Sequence, residues 1–87
     1  MDVMAFNNKG TTFNEMQLYE KAIECFNKAI MVNHESDIAW LKKGNSLFNL
    51  GRFKDSIKCY DRAFALNAKN AEAIKNKRFA MEKLNMI

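Results

Sequence analysis

The chain predicts an all-α protein, a short solenoid of helical hairpins with five helices, and three observations carry that reading. The sequence matches itself when shifted by 34 residues: Gly10 falls on Gly44, Ile23 on Ile57, Cys25 on Cys59, Ala29 on Ala63 and Asn33 on Asn67. Aromatic positions keep the same register, Phe6 on Trp40, Tyr19 on Phe53 and Phe26 on Tyr60. Proline is absent and glycine occurs only three times, so little interrupts a helix. Apolar residues recur at helical spacing within each unit. A fixed period of this length marks units that bury their apolar faces only against their neighbours. Such scaffolds act mostly by presenting a surface.

The first unit, residues 3–36, reads as two helices. Val3, Phe6, Gly10, Phe13 and Met16 form one stripe, and after a short turn around Gln17–Tyr19 a second follows at Ala22, Ile23, Phe26, Ala29 and Ile30. His34–Ser36 end the second helix. The second unit, residues 37–70, repeats the plan with Trp40, Gly44, Leu47 and Leu50, then Ser56, Ile57, Tyr60, Ala63 and Phe64. Asp37 opens its first helix as an N-cap or a first-turn acid. Gly51 closes that helix, because glycine takes the left-handed conformation that ends helices. Ala68–Asn70 form the last turn. A fifth helix follows from about 71 to 85, with Ile74, Met81 and Leu84 on its packed side. Residues 71–87 then cap a single domain spanning 1–87.

Gly10 and Gly44 fall in mid-helix, where glycine costs ~1 kcal/mol relative to alanine. The same cost at the same place twice predicts a close helix approach. Ala22, Ala29 and Ala63 are the expected small partners, with Ser56 in the place of Ala22. Aromatic side chains fill the flanking holes of an antiparallel hairpin.

At 87 residues the chain has room for one small core. Its 48% hydrophobic and 11% aromatic content argues against disorder. No apolar run approaches the ~20 residues of a bilayer span. The start, MDVMAFNNKG, lacks a basic region followed by an apolar one, so a soluble cytoplasmic protein without membrane contact is expected. Cys25 and Cys59 occupy equivalent places, which stacking would hold roughly 10 Å apart, beyond the ~7 Å reach of a disulfide. Free, partly buried thiols in a reducing compartment follow. The net charge of +4 divides into −2 over residues 1–36 and +6 over residues 37–87, which suits an acidic partner for the second half.

With these positions in hand, the chain resembles the tetratricopeptide repeat (TPR) family. Phe6–Lys9–Gly10–Phe13–Tyr19–Ala22–Phe26–Ala29 follows the family pattern, as does Trp40–Lys43–Gly44–Leu47–Phe53–Ser56–Tyr60–Ala63. The resemblance covers two complete units over residues 3–70, and residues 71–87 are similar to the first helix of a third, with Arg78 in place of its glycine. Two departures stand out. The proline that ends each family unit is His34 and Ala68 here, implying less rigid turns between units. Lysines replace the leucine before the glycine, and their stems can lie along the core while the amines reach water.

The resemblance implies a superhelix whose first helices line a concave groove. That groove would include Met4, Asn7, Asn8, Thr11, Asn14 and Glu15, then Ile38, Leu41, Lys42, Asn45, Phe48 and Asn49, then Glu72, Lys75, Asn76, Phe79 and Lys83. Asparagine both donates to and accepts from an extended backbone, which suits peptide capture. The best contact candidates are Lys42, Asn45, Lys75 and Asn76, with Asn8, Thr11 and Leu41 at the rim. One subgroup of the family grips the C-terminal carboxylate of chaperone tails with two Lys, two Asn and one Arg. Their places fall on Asn7, Thr11, Lys42, Glu72 and Asn76, and none matches. Asn45 and Asn76 fit the two Asn places in a frame shifted by one unit, but Leu41 then replaces the first Lys. That grip is not expected here.

Other functions find less support. Lys42, Lys43, Arg52, Lys54, Lys58, Arg62, Lys75, Lys77 and Arg78 could meet nucleic acid, but nearby aromatics are committed to the core and offer no stacking platform. His34 is the only histidine and the cysteines are badly placed, so no metal or other cofactor is expected. No phosphate-cradling loop or nucleophile elbow occurs, so the chain reads as no enzyme. Self-association is the main competitor to peptide binding. Met1, Val3, Met4 and Phe6 at one end, and Phe79, Met81, Leu84, Met86 and Ile87 at the other, leave apolar array ends that could pair or exchange a helix.

Overall fold

The computed structural model describes residues 2–86; Met1 and Ile87, counted above among the apolar ends, lie outside the described residues. Five helices follow one another: α1 (Val3–Glu15), α2 (Tyr19–Val32), α3 (Asp37–Asn49), α4 (Phe53–Leu66) and α5 (Ala71–Asn85). The hairpins α1–α2 and α3–α4 stack through α2 against α3, and α5 lies on α4. Along the other edge α1 touches α3 and α3 touches α5. That edge carries the groove.

The first helix of each unit begins with the same device. Asp2 Oδ1, Ser36 Oγ and Asn70 Oδ1 accept from the backbone N–H groups of Ala5, Ala39 and Ala73 at 2.8, 3.2 and 3.1 Å. Each side chain thereby satisfies a donor that the helix start leaves free. Asp37 is the first-turn acid of α3 rather than its cap, and its Oδ2 accepts from Asn67 Nδ2 and Asn70 Nδ2. The turns inside the hairpins also share a geometry. Leu18 N–H donates to Phe13 O and Arg52 N–H to Leu47 O, both at 2.9 Å, wrapping a residue of positive φ. That residue is Gly51 in the second unit (φ 79°) and Gln17 in the first (φ 63°).

The turns between units are braced despite the missing proline. Asn33 Oδ1 accepts from Glu35 N–H and Asn67 Oδ1 from Lys69 N–H, each at 3.0 Å, closing an Asx turn at the same place twice. Trp40 Nε1–H donates to His34 O at 3.1 Å and pins the first of these turns to α3.

Packing corrects the sequence reading in three places. The nearest neighbours of the mid-helix glycines are rings: a Cβ on Gly10 would stand 2.5 Å from Phe26 Cε1, and one on Gly44 2.6 Å from Tyr60 Cε1. Each ring lies flush on a glycine, so the close approach is helix to ring. Ala22, Ala29 and Ala63 are fully buried, and Ala63 belongs to the cluster that joins Leu41 and Tyr60 to Ala73 and Ala80 of α5. On α5 the packed side is therefore Ala73 and Ala80, while Ile74 and Met81 remain exposed. Met16 and Phe64, placed above in the apolar stripes, are exposed as well. Cys25 and Cys59 are buried and unbridged, and burial pushes the Cys59 thiol above its ordinary value.

Candidate functional site: the groove between the third and fifth helices

Where α3 and α5 run side by side over α4, they enclose a cleft of about 280 Å³ lined by Asn45, Phe48, Asn49, Tyr60, Asn76 and Phe79. Its floor is the Tyr60 hydroxyl, on a ring held in place because Gly44 leaves room for it. Phe48 is half-buried, packed against the α3–α5 core and set edge-on to Phe53 with ring centroids 5.2 Å apart. Phe79 is more exposed and forms the opposite wall.

The polar groups form one network. Tyr60 O–H donates to Asn45 Oδ1 at 2.7 Å, and Asn76 Nδ2–H donates to the same oxygen at 2.9 Å. Both lone pairs of that carbonyl are thus taken. The amide orientation follows: Asn45 Nδ2 keeps two donors, while Asn76 keeps one donor and its carbonyl. Burial, with smaller contributions from Cys59 and Glu72, raises the Tyr60 pKa, so the phenol stays a donor at any physiological pH.

Of the seven groove residues chosen from the sequence, the fold unites Asn45 and Asn76. Leu41 is corrected: at 6% exposure it lies in the core against α5 and offers nothing to a ligand. Lys42 is half-buried on α3, and Lys75 is exposed on α5 outside the cleft lining. Asn8 and Thr11 lie on α1, where the Thr11 hydroxyl donates to Asn7 O at 2.8 Å within its own helix. Phe48, Asn49 and Phe79 belong to the wider groove that the resemblance implies but not to the best contact candidates, and in the sequence Tyr60 reads only as a structural residue. The signal that could have found them is a break in the repeat. Phe48 stands where the first unit has Asn14, and Phe79 where the earlier units have Thr11 and Asn45.

Four of the nine basic residues named above are engaged elsewhere. Lys43 and Arg62 lie over the Trp40 ring, 5.5 and 5.9 Å from its centroid. Arg52 pairs with Asp55 and Lys77 with Asp61, both at 2.7 Å. Among the described residues no group of three His, Cys, Asp or Glu side chains is placed to hold a metal. No helix there is long and apolar enough to cross a membrane.

Solved structures share this architecture. The second TPR of Spaghetti (RPAP3), bound to the HSP90 peptide SRMEEVD, superposes with a TM-score of 0.94 at 17% identity, over 99% of this chain and 80% of that one. The Arabidopsis OM64 TPR domain gives 0.88 at 20% identity, over 93% of this chain and 67% of that one. A MamA D159K mutant gives 0.84 at 24% identity, over 97% of this chain but 46% of its own length. A comparison with curated proteins found no match. The family model for the tetratricopeptide repeat matches residues 3–36 and 38–70, the two hairpins seen in the fold. The chain belongs to the tetratricopeptide repeat family.

Proposed function

We propose that the chain is a non-catalytic interaction module that holds a peptide or protein segment in the groove lined by α1, α3 and α5. The observation that carries this is the Tyr60–Asn45–Asn76 network, which orients two carboxamides at an open cleft and leaves spare donors and an acceptor for a backbone. The shared architecture supports a peptide ligand, since a neighbour of the same fold is bound to one. The net charge of +6 over residues 37–87, to which Lys42 and Lys75 contribute, favours acidic residues flanking the bound segment. Two buried free thiols fit a reducing cytoplasm. The test is the double substitution Asn45→Ala, Asn76→Ala, measured by titration against a verified partner with melting followed in parallel. Affinity should fall at least tenfold, about 1.4 kcal/mol. Unchanged affinity in the folded variant would remove the proposal.

Self-association is a second reading, favoured by the exposure of Ile74, Met81 and Met86 on and after α5 and of Met4 on α1. Light scattering over a hundredfold concentration range decides it. A monomer throughout discards this reading, and a stable dimer redirects attention from the groove to the ends.

A further inference from the structure

The groove reading leaves open what the cleft selects, and its lining speaks to that. None of its six side chains carries a charge. Two phenyl walls and a phenol floor make it chiefly apolar, and its volume of about 280 Å³ lies just below the ~300 Å³ at which ligand pockets usually begin. That size suits one side chain. A carboxylate placed there would lose water and gain carboxamide hydrogen bonds, but no lining cation would compensate its charge. A neutral apolar side chain meets no such penalty. The carboxamides stand beside the rings, and their unspent groups match the alternating N–H and C=O of an extended backbone, with the floor oxygen of Asn45 already saturated.

We infer that the cleft between α3 and α5 is a specificity pocket for one aliphatic or aromatic side chain of an internal, extended peptide segment, seated between Phe48 and Phe79 with its backbone held by Asn45 and Asn76. This rests on the groove reading and adds two claims to it: the anchor is an uncharged side chain, and no free C-terminus is required. The equivalent place one unit earlier is built differently. There Thr11, Asn14, Glu15 and Lys42 stand where Asn45, Phe48, Asn49 and Asn76 stand here, and Asn14 Oδ1 is occupied by the Ser46 hydroxyl at 2.6 Å. The selective step therefore falls in the second half of the groove.

Two libraries of random peptides test this, one fused through its C-termini so that no free carboxylate is offered, the other with free C-termini. The whole chain is the bait, alongside Phe79→Asp and the conservative Phe79→Leu. Because Phe79 is about half exposed, both variants keep the fold, which circular dichroism verifies. Binders from the fused library should share one apolar residue at an internal position. They should lose at least tenfold in affinity to Phe79→Asp and recover most of it with Phe79→Leu. Binders drawn only from the free-carboxylate library, or indifferent to Phe79→Asp, would overturn the pocket while leaving the groove reading in place. Binding to neither library would remove both.

Discussion

The two hairpins are built to one plan and spend it differently. In the second, Gly44 admits a tyrosine whose hydroxyl reaches Asn45, and Leu41 seals the core against α5. In the first, Gly10 admits Phe26, which has no hydroxyl to offer, and the place of Leu41 is taken by Asn7. The Asn7 Oδ1 is buried without a hydrogen-bond partner. The turn inside the second hairpin uses glycine at positive φ, where the first uses Gln17. The second unit is thus the better-satisfied one and also supplies four of the six residues that line the cleft. The proposed binding constellation stands largely on the better-satisfied half, as a constellation that needs rigid support should.

The sharpest way to break this comparison is to fill the ring seats. Gly44→Leu should cost about 3 kcal/mol or more by overpacking against Tyr60, and Gly10→Leu somewhat less, because Phe26 has no hydroxyl tether and can shift. Urea unfolding of the two variants measures the difference, and equal losses would mean that the tether does not stiffen the ring. Next in size, Asn7→Leu should stabilise by about 1–2 kcal/mol, since it removes an orphaned buried acceptor and installs the side chain that the second unit uses. A lower melting temperature would show that Asn7 is satisfied by something the packing does not reveal.

Tyr60→Phe makes the second unit resemble the first and should cost about 1 kcal/mol near neutral pH. It also changes the alkaline limb. The folded-state pKa of Tyr60 is raised above its ordinary 10.0, so above that pH the unfolded chain releases a proton that the native state retains. Stability is fully present below pH 10 and falls as pH rises from there towards the folded-state value. Cys59, raised from 9.0, adds a loss of the same sign that begins lower. The Tyr60→Phe variant should show a shallower fall, and an identical alkaline profile would refute the assignment. The smallest effect expected is Gln17→Gly, stabilising by about 0.5–1 kcal/mol because a side chain at positive φ is strained where glycine is not. Thermal melting resolves a change of that size in a domain this small.

Much of the fold was legible because it repeats. The hairpins, the turn at Gly51, the run of α5 and the burial of both cysteines follow from period and helical spacing. The caps were equally legible in retrospect, since Asp2, Ser36 and Asn70 stand at one place in successive units. The misreadings share a cause. Helical spacing reports that a side of α5 is apolar but not which neighbour covers it, so Ile74 and Met81 were placed inward when Ala73 and Ala80 pack. Likewise the small residues Gly10 and Ala22 looked like partners because both are small. Only ring positions in space show that Phe26 sits on Gly10.

The 34-residue period by itself determined the architecture, because a repeated apolar pattern has one economical way to bury itself, against copies of its own unit. The cleft proposed for binding was decided by the tertiary structure. Asn45 and Asn76 lie 31 residues apart, and Tyr60, Phe48 and Phe79 come from three different helices. No local pattern encodes their meeting, which depends on how closely α5 can approach α3 across Leu41, Ala73 and Ala80.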